Sequence, residues 1–241
     1  MKSVQVFLDA DAMAKEIACR WCEGAEQAEK SGGVFSVVLS GGVTASNVYR
    51  EIGSPLWSAK IPWEKVHIFW SDERCVSQDS EESNFRIICR AFLDNISIPD
   101  ENVHRIRGEE EPVKESIRYA EEIRDHMVLR SSQGILFDWV LLGLGVDGHT
   151  ASLFPGQAQL LQTEKLCEVA QHPQTGQKRI TLCPSALQKS KCTTYHVLGL
   201  NKAEIVSRLV HESSERKKYP AACFSAEWYL DQAAASLLNF P

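Results

Sequence analysis

Apolar positions near the start of the chain follow two periods, one typical of helices and one of strands. After Asp9 and Asp11, either of which can cap a helix, apolar residues recur at helical spacing as far as the glycines at 32–33. Residues 34–39 are apolar except for one serine and predict a buried strand, and residues 44–52 return to the helical period. The chain is therefore predicted to begin as helix, strand and helix.

The same alternation continues to the other end of the chain. Further strands are predicted at residues 66–70, 103–106, 138–142, 166–170, 179–183, 194–198 and 228–230. Further helices are predicted at residues 83–93, 112–130 and 202–211, with a closing alanine-rich helix capped by Asp231. Strands separated by helices favour an α/β fold with a mostly parallel sheet covered on both faces. No repeat or linker interrupts the pattern, so we expect a single domain over residues 1–241.

Composition narrows the compartment and the partners. With 241 residues, 44% of them hydrophobic, the chain can bury one sizeable core. A net charge of -6 without a long basic run argues against nucleic acid as a partner, and no apolar run approaches the ~20 residues of a membrane span. The eight cysteines are scattered, and early acidic residues disfavour a secretory leader. We therefore expect a cytosolic protein with no obligate protein partner.

Three loops rich in small or charged residues follow three of the predicted strands, at residues 40–44, 71–84 and 143–156. If the sheet is parallel, all three leave the same edge, where open α/β sheets bind their ligands. The first loop places Gly41 and Gly42 before a helix, so its uncovered backbone N–H groups could hold a phosphate. The alternative is an ordinary tight turn with Thr44 as the N-cap of the helix.

The second loop carries three charged residues, Asp72, Glu73 and Arg74, directly after a predicted strand. Charges at such a position are often only a solvated turn. The preceding Phe69 and Trp70 instead suggest a buried approach, where an unpaired charge is costly. The charges are therefore either solvated or paired, with one another or with a ligand.

The third loop places His149 beside Asp147, after the predicted strand at 138–142. An imidazole next to a carboxylate at a strand end suits acid–base chemistry, although a structural histidine is an alternative. The same loop contains the spacing GxGxxG from Gly143 to Gly148, which is typical of dinucleotide binding. Pro155 interrupts the helix that this motif needs, so a dinucleotide site is disfavoured.

Together, these loops resemble the signature loops of 6-phosphogluconolactonases. The resemblance is carried by DGHTASLFP at 147–155, by DERCV at 72–76 with SNFR at 83–86, and by SGGVT at 40–44. Further similarity at 179–182, 199–203, 220–221 and 228–234 extends it over nearly the whole chain. The resemblance implies a modified Rossmann-like sheet of the sugar-phosphate isomerase and deaminase type. It also implies hydrolysis of 6-phosphogluconolactone to 6-phosphogluconate in the pentose phosphate pathway.

The resemblance further implies roles for individual residues. His149 is expected to act as general base and then general acid, with Asp147 or Asp72 orienting its ring. Arg74 is expected to stabilise the developing oxyanion or to hold a nearby carboxylate. The residues expected to bind the substrate and its phosphate are Ser40, Gly41, Gly42, Thr44, Asn84, Arg179 and Lys202.

No cofactor and no metal are expected. The sequence shows no grouping of histidines, cysteines and carboxylates besides Asp147 and His149, and hydrolysis of a lactone can proceed by acid–base catalysis alone. The one partner expected is therefore the small phosphosugar lactone.

Two other functions are compatible with the pattern. Glucosamine-6-phosphate deaminases resemble this chain, but their loop carries a carboxylate five residues after the histidine, where this chain has Phe154, and a tyrosine where it has Arg74. A non-catalytic sugar-phosphate sensor is the second possibility. It is motivated by residues 43–45, which depart from the Ser-Thr-Pro common in the family. The chain departs again at serines 77 and 80, where the family has a proline and a later histidine.

Overall fold

The computed structural model describes residues 3–128, 134–211 and 214–238, and of residues 43, 44, 127, 128, 214 and 215 it describes the backbone alone. The described residues form ten strands: β1 Val4–Phe7, β2 Phe35–Leu39, β3 Val66–Trp70, β4 Asp72–Arg74, β5 Val103–His104, β6 Phe137–Leu142, β7 Cys167–Gln171, β8 Lys178–Leu182, β9 Ser190–Val197 and β10 Glu227–Asp231. Seven of them make a parallel sheet in the order β1-β10-β9-β6-β2-β3-β5. The expected α/β fold with a mostly parallel sheet is confirmed.

The described residues also form the helices α1 Ala10–Lys30, α2 Val43–Ile52, α3 Pro55–Ser58, α4 Asn84–Ala91, α5 Pro112–Val128, α6 Ala158–Gln162, α7 Pro184–Leu187 and α8 Ala203–Val210. The Asp9 carboxylate caps α1 as predicted, since it accepts a hydrogen bond from the N–H of Ala12 at 2.8 Å. The apolar face of α1, including Met13, Ile17 and Trp21, is fully buried. Helical periodicity therefore located both the cap and the buried face of α1.

The centre of the sheet determines where the three loops meet. β6, β2 and β3 are neighbours and run parallel, and every residue of β2 is buried because both faces of the sheet are covered. The loops that follow these strands therefore leave the same edge, as the sequence predicted.

Three strands form a separate antiparallel sheet in the order β4-β8-β7. The prediction of a loop at residues 72–74 is therefore wrong, and the hydrophobic pattern did not separate β7 and β8 from the main sheet. Ser71 connects the two sheets: its N–H bonds to the carbonyl of Leu39 at 2.8 Å, and its own carbonyl accepts the N–H of Leu182 at 2.8 Å. Periodicity predicts a strand but does not indicate which sheet that strand joins.

Both ends of the described chain differ from expectation. The sequence did not indicate β1, because this edge strand has exposed residues at Gln5 and Val6 and therefore no apolar run. The predicted closing helix after Asp231 is absent within the described residues, where 232–237 form turns. Asp231 does accept the N–H of Ala234 at 2.7 Å, but both of its oxygens also accept the N–H of Gly199, at 3.0 and 3.1 Å. Asp231 therefore connects two turns and does not start a helix.

Two general features complete the fold. Within the ranges described above, no helix combines the length and the apolar character needed to cross a bilayer. All eight cysteines are free thiols, and Cys22, Cys167 and Cys183 are buried, where they pack as small apolar side chains.

Candidate active site

A cleft of about 270 Å³ lies at the edge of the sheet where β2, β3 and β6 end. Most of the residues that the sequence singled out line it: Ser40, Gly41, Gly42, Asp72, Arg74, Asn84, His149, Arg179 and Lys202. Asp147 reaches the cleft through its contact with His149. The side chain of Thr44 falls outside the described part of the chain. The fold thus brings together loops that are up to a hundred residues apart in sequence.

The imidazole of His149 is held by the carboxylate of Asp147. Nδ1 of His149 lies 2.5 Å from Oδ1 of Asp147, and the same oxygen accepts the backbone N–H of His149 at 3.2 Å. Burial favours the neutral form of Asp147, but the hydrogen bond and charge of His149 outweigh it and lower the pKa of this carboxyl. An ionised Asp147 places the ring proton of His149 on Nδ1 and leaves Nε2 as the proton acceptor.

The His149–Asp147 contact requires a glycine at position 145. A Cβ at Gly145 would lie 2.1 Å from Nδ1 of His149 and 2.5 Å from Oδ1 of Asp147. The N–H of Gly145 donates to the carbonyl of His149 at 2.8 Å, and the N–H of Gly148 donates to the carbonyl of Gly145 at 3.0 Å. The backbone of this turn at Gly145 therefore packs directly against the His149 and Asp147 side chains that the turn positions.

Asp72, the other carboxylate considered as a partner for His149, makes its contacts elsewhere. Its Oδ2 accepts the hydroxyl of Ser152 at 2.6 Å, and its carbonyl accepts a side-chain N–H of Asn84 at 2.9 Å. Asp72 is only 5% exposed, so its charge depends on such partners. Its role in this geometry is to hold the wall of the cleft, and the contact with His149 is made by Asp147.

Glu73 is part of the same framework. Its two carboxylate oxygens accept the backbone N–H groups of Arg74, Asn84 and Phe85 at 2.7, 2.7 and 2.8 Å, and the hydroxyl of Ser83 at 3.0 Å. Burial raises the pKa of Glu73, and these hydrogen bonds oppose the shift. Asp72 and Glu73 are therefore buried and paired within the protein and are not part of a solvated turn.

Two guanidinium groups lie side by side in the cleft wall. β4 and β8 pair in a register that puts Arg74 opposite Arg179, and both side chains line the cleft. Burial lowers the pKa of Arg179. The negative charge of Asp72 opposes this shift, and the positive charge of Arg74 lowers the pKa further. Like charges placed opposite each other repel, so an anion in the cleft would relieve this repulsion.

The glycine loop at the start of α2 approaches its neighbours closely. A Cβ at Gly41 would lie 1.9 Å from Oδ1 of Asn84, so no larger residue fits there. Gly42 is the N-cap of α2, with φ at 112°, and the helix begins at Val43. The alternative that Thr44 caps this helix is therefore wrong. The N–H groups of the first helical turn have no partner within the helix and are suited to an anion.

Ser40 and Lys202 complete opposite sides of the cleft. The hydroxyl of Ser40 donates to the carbonyl of Leu141 at 2.9 Å, so this side chain braces the β2–β6 junction. Nζ of Lys202 donates to the carbonyl of Leu144 at 2.7 Å. Burial lowers the pKa of Lys202, and the charge of Asp147 opposes the shift. Lys202 is thus a third cation in the cleft, close to the His149–Asp147 pair.

His196 lines the cleft as well, and sequence analysis did not find it. It is 1% exposed, and neither of its ring nitrogens has a hydrogen-bond partner within the described part of the chain. Burial lowers the pKa of His196 to about 4, so the ring is neutral at pH 7 and can donate one hydrogen bond and accept another. The position of His196 near the carboxyl end of β9, which pairs with β6, was the signal that could have identified it.

The burial of His196 predicts a loss of stability in acid. The pKa of His196 in the folded protein is about 4, below the ordinary value near 6.5. Its contribution to the free energy of unfolding is therefore complete above about pH 6.5 and is lost as the pH falls to 4. The free energy involved is about 3 kcal/mol. His196→Leu should therefore lose less stability than the wild type over this range, as measured by urea unfolding at several pH values. Parallel pH dependence in the two proteins would show that His196 does not titrate in this way.

A second group of histidines lies away from the cleft. His67, His104 and His126 come from β3, β5 and α5, and one ring nitrogen from each lies within 4.8 Å of the others. The expectation that the chain holds no cluster besides Asp147 and His149 is therefore wrong. The sequence separation of these residues hid the cluster, because only the pairing of β3 with β5 and the return of α5 bring them together.

Comparison with known proteins supports the resemblance seen in the three loops. The family profile described as glucosamine-6-phosphate isomerases/6-phosphogluconolactonase matches residues 8–230. A 6-phosphogluconolactonase of Haemophilus influenzae is 40% identical over 207 residues, which is 84% of this chain and 87% of the relative. The crystal structure of devB protein superimposes with a TM-score of 0.92 at 38% identity, covering 99% of this chain and 100% of that one. A monomeric glucosamine-6-phosphate deaminase shares the fold at 19% identity, with a TM-score of 0.81 over 98% of this chain and 99% of that one.

Proposed function

The chain belongs to the family of glucosamine-6-phosphate isomerases and 6-phosphogluconolactonases, and we propose that it hydrolyses 6-phospho-D-glucono-1,5-lactone to 6-phospho-D-gluconate in the oxidative pentose phosphate pathway. The observation that carries this proposal is the His149–Asp147 pair, packed against Phe154 in a cleft that three cations line. The pair supplies a base that can take a proton from water, and the cations can bind the phosphate of the substrate.

Hydrolysis begins with a water molecule between His149 and the lactone carbonyl. Nε2 of His149 accepts a proton from this water while the water oxygen bonds to C1, and the carbonyl oxygen takes up the negative charge. The bond from C1 to the ring oxygen then breaks, and the imidazolium returns its proton to that oxygen. Asp147 holds the ring tautomer throughout and stabilises the transient imidazolium.

One of the three cationic side chains serves the oxyanion, and the other two serve the phosphate. Arg74 stabilises the oxyanion on C1, because a guanidinium keeps its charge in a partly buried site. The phosphate lies against the backbone N–H groups at Gly41 and Gly42, with Arg179 and Lys202 supplying positive charge. The neutral ring of His196 donates a hydrogen bond to a sugar hydroxyl, so His196→Leu should raise KM several-fold.

Phe154 favours hydrolysis over deamination. Its ring lies 4.8 Å from the ring of His149 and is 1% exposed, at the position where the related deaminases carry a carboxylate. An apolar ring cannot relay a proton, and the isomerisation that precedes deamination needs a proton-relaying group beside the histidine.

The free state of all eight cysteines suits a reducing compartment, and we expect the reaction to take place in the cytosol.

A direct assay separates the three candidate functions. The purified protein is mixed with freshly generated 6-phosphogluconolactone, and formation of 6-phosphogluconate is followed against the enzyme-free rate. The proposal expects a large acceleration for the lactone and no ammonia release from glucosamine 6-phosphate. Ammonia release would assign a deaminase, and tight binding of 6-phosphogluconate without turnover would assign a sensor.

Gly145→Ala tests whether the His149–Asp147 geometry matters for the reaction. The added methyl group must push the two side chains apart, and displacements of about 1 Å at a catalytic group cost up to ~10²-fold in rate. We expect kcat to fall by about ten- to a hundredfold. Gly143→Ala is the matched control in the same loop, because a Cβ there meets nothing within 4 Å. Similar kcat values for the two variants would contradict the proposed role of the pair.

A further inference from the structure

The three histidines outside the cleft have the arrangement of a metal site. His67 lies in β3, His104 ends β5, and His126 lies in the last turn of α5. None of the three lines the active-site cleft. We propose that His67, His104 and His126 together bind one transition-metal ion of the zinc class, at a site separate from the proposed reaction.

The spacing of the ring nitrogens is close to what such an ion requires. Two nitrogens bound to a tetrahedral zinc ion at about 2.0–2.1 Å lie about 3.4 Å apart. Nδ1 of His67 and Nε2 of His104 are 3.0 Å apart, and all three ligand atoms lie within 4.8 Å of one another. The longest separation therefore needs to shorten by at most about 1.4 Å. The proposed site requires this shift, and His126 is half-buried in the last turn of α5.

The tautomer of His104 is already the one that a metal ligand needs. Oε1 of Glu122 lies 2.9 Å from Nδ1 of His104, so Nδ1 carries the proton and the lone pair of Nε2 points towards His67. The other oxygen of Glu122 accepts a hydrogen bond from Arg118, which fixes the carboxylate. Metal-bound histidines characteristically donate their second N–H to a carboxylate in this way. Metal binding would require His67 to carry its proton on Nε2, which is the other neutral tautomer.

Packing holds the central ligand in place while leaving the site reachable. His104 is 2% exposed, and its ring stacks on Phe69 at 4.3 Å between centroids and 18° between planes. Its centroid lies 4.0 Å from that of His126. His67 and His126 are half-buried, so an ion can enter from solvent and keep water as a fourth ligand.

The ligand set selects the kind of ion. All three donors are imidazoles, which suit zinc, copper, nickel and cobalt, whereas magnesium and calcium require oxygen ligands. An ion at this site would join β3, the edge strand β5 and the helix α5 that follows it. Because such an ion binds the folded protein, it would raise stability and leave the chemistry of the cleft unchanged.

Calorimetric titration with Zn²⁺ after chelator treatment tests this site. The wild type is expected to bind one Zn²⁺ per chain, and saturating Zn²⁺ should raise Tm by about 5 °C or more. Co²⁺ in place of Zn²⁺ should give the visible absorption of a four-coordinate ion. His126→Gln removes one ligand from a helix surface and should weaken Zn²⁺ binding at least about tenfold.

His211→Gln is the matched control, because this exposed histidine lies outside the cluster and contacts only Ser207 among the described hydrogen bonds. It should bind Zn²⁺ like the wild type, and melting curves without metal should show that both variants fold. The proposal is overturned if the wild type binds no stoichiometric Zn²⁺, or if His126→Gln binds it as tightly as His211→Gln. The second result would place the ion elsewhere, for example on His149 and Asp147. Lactonase activity of the metal-free protein is measured in parallel and is expected to be unchanged.

Discussion

Replacing His149 with alanine is expected to lower kcat for 6-phosphogluconolactone by about a thousandfold, within the ~10²–10⁴ range that a positioned general base contributes. Asp147 occupies Nδ1, so in the proposed mechanism Nε2 is the nitrogen that accepts the proton of the attacking water. The rate of 6-phosphogluconate formation is measured with the enzyme-free hydrolysis in the same buffer subtracted. KM should change little, because the phosphate contacts are made by other residues.

His172→Ala is the control for the loss of a nearby imidazole. Its ring packs on the same Phe154 ring in an edge-on contact at 5.1 Å, but it has no contact with Asp147 among the described hydrogen bonds. We expect kcat within about threefold of the wild type, since surface changes of this kind are worth no more than about 0.5 kcal/mol. Equal losses in the two variants would mean that His149 acts by packing and not as a base.

Replacing Arg179 with methionine is expected to raise KM for the lactone by about ten- to a hundredfold, with a smaller effect on kcat. A hydrogen bond to a charged group contributes about 1.5–3 kcal/mol, and each 1.4 kcal/mol is a factor of ten in affinity. Methionine keeps an apolar stem beside Phe154, so the substitution removes charge while it retains packing. The kinetic constants are compared at fixed ionic strength, because salt screens the same attraction.

Lys178→Met is the matched control for the loss of one positive charge. Lys178 precedes Arg179 on β8 and is exposed, and successive strand residues point to opposite faces. KM should therefore stay close to the wild-type value. A similar rise in both variants would show that the net charge of the region, and not the Arg179 contact, attracts the phosphosugar.

The elements that position the active site were predictable because they leave a strong local signal. β2, β3 and β6 are apolar except for one polar residue each, and a parallel arrangement brings the loops after them to one edge of the sheet. The residues in those loops were singled out because they are glycines and charged residues placed at that edge. For these residues, sequence pattern and topology gave the same answer.

The rest depended on contacts between distant segments. Residues 72–74 carry three charges and predict no strand, yet they pair with β8 in a second sheet and place Arg74 opposite Arg179. His196 stands out in the structure by its burial without a hydrogen-bond partner among the described residues. Asp147 and not Asp72 contacts His149, and Asp72 instead accepts the hydroxyl of Ser152, 80 residues away in sequence. Periodicity contains no information about such pairings.

Phe154 also acts as a spacer between two positive charges. Its ring centre lies 4.8 Å from that of His149 on one side and 5.6 Å from Cζ of Arg179 on the other. In the proposed mechanism His149 becomes cationic, and a guanidinium in direct contact would oppose that protonation. Phe154 instead gives each of the two groups an aromatic neighbour. The cleft can therefore hold cationic side chains for an anionic substrate without weakening His149 as the proposed base.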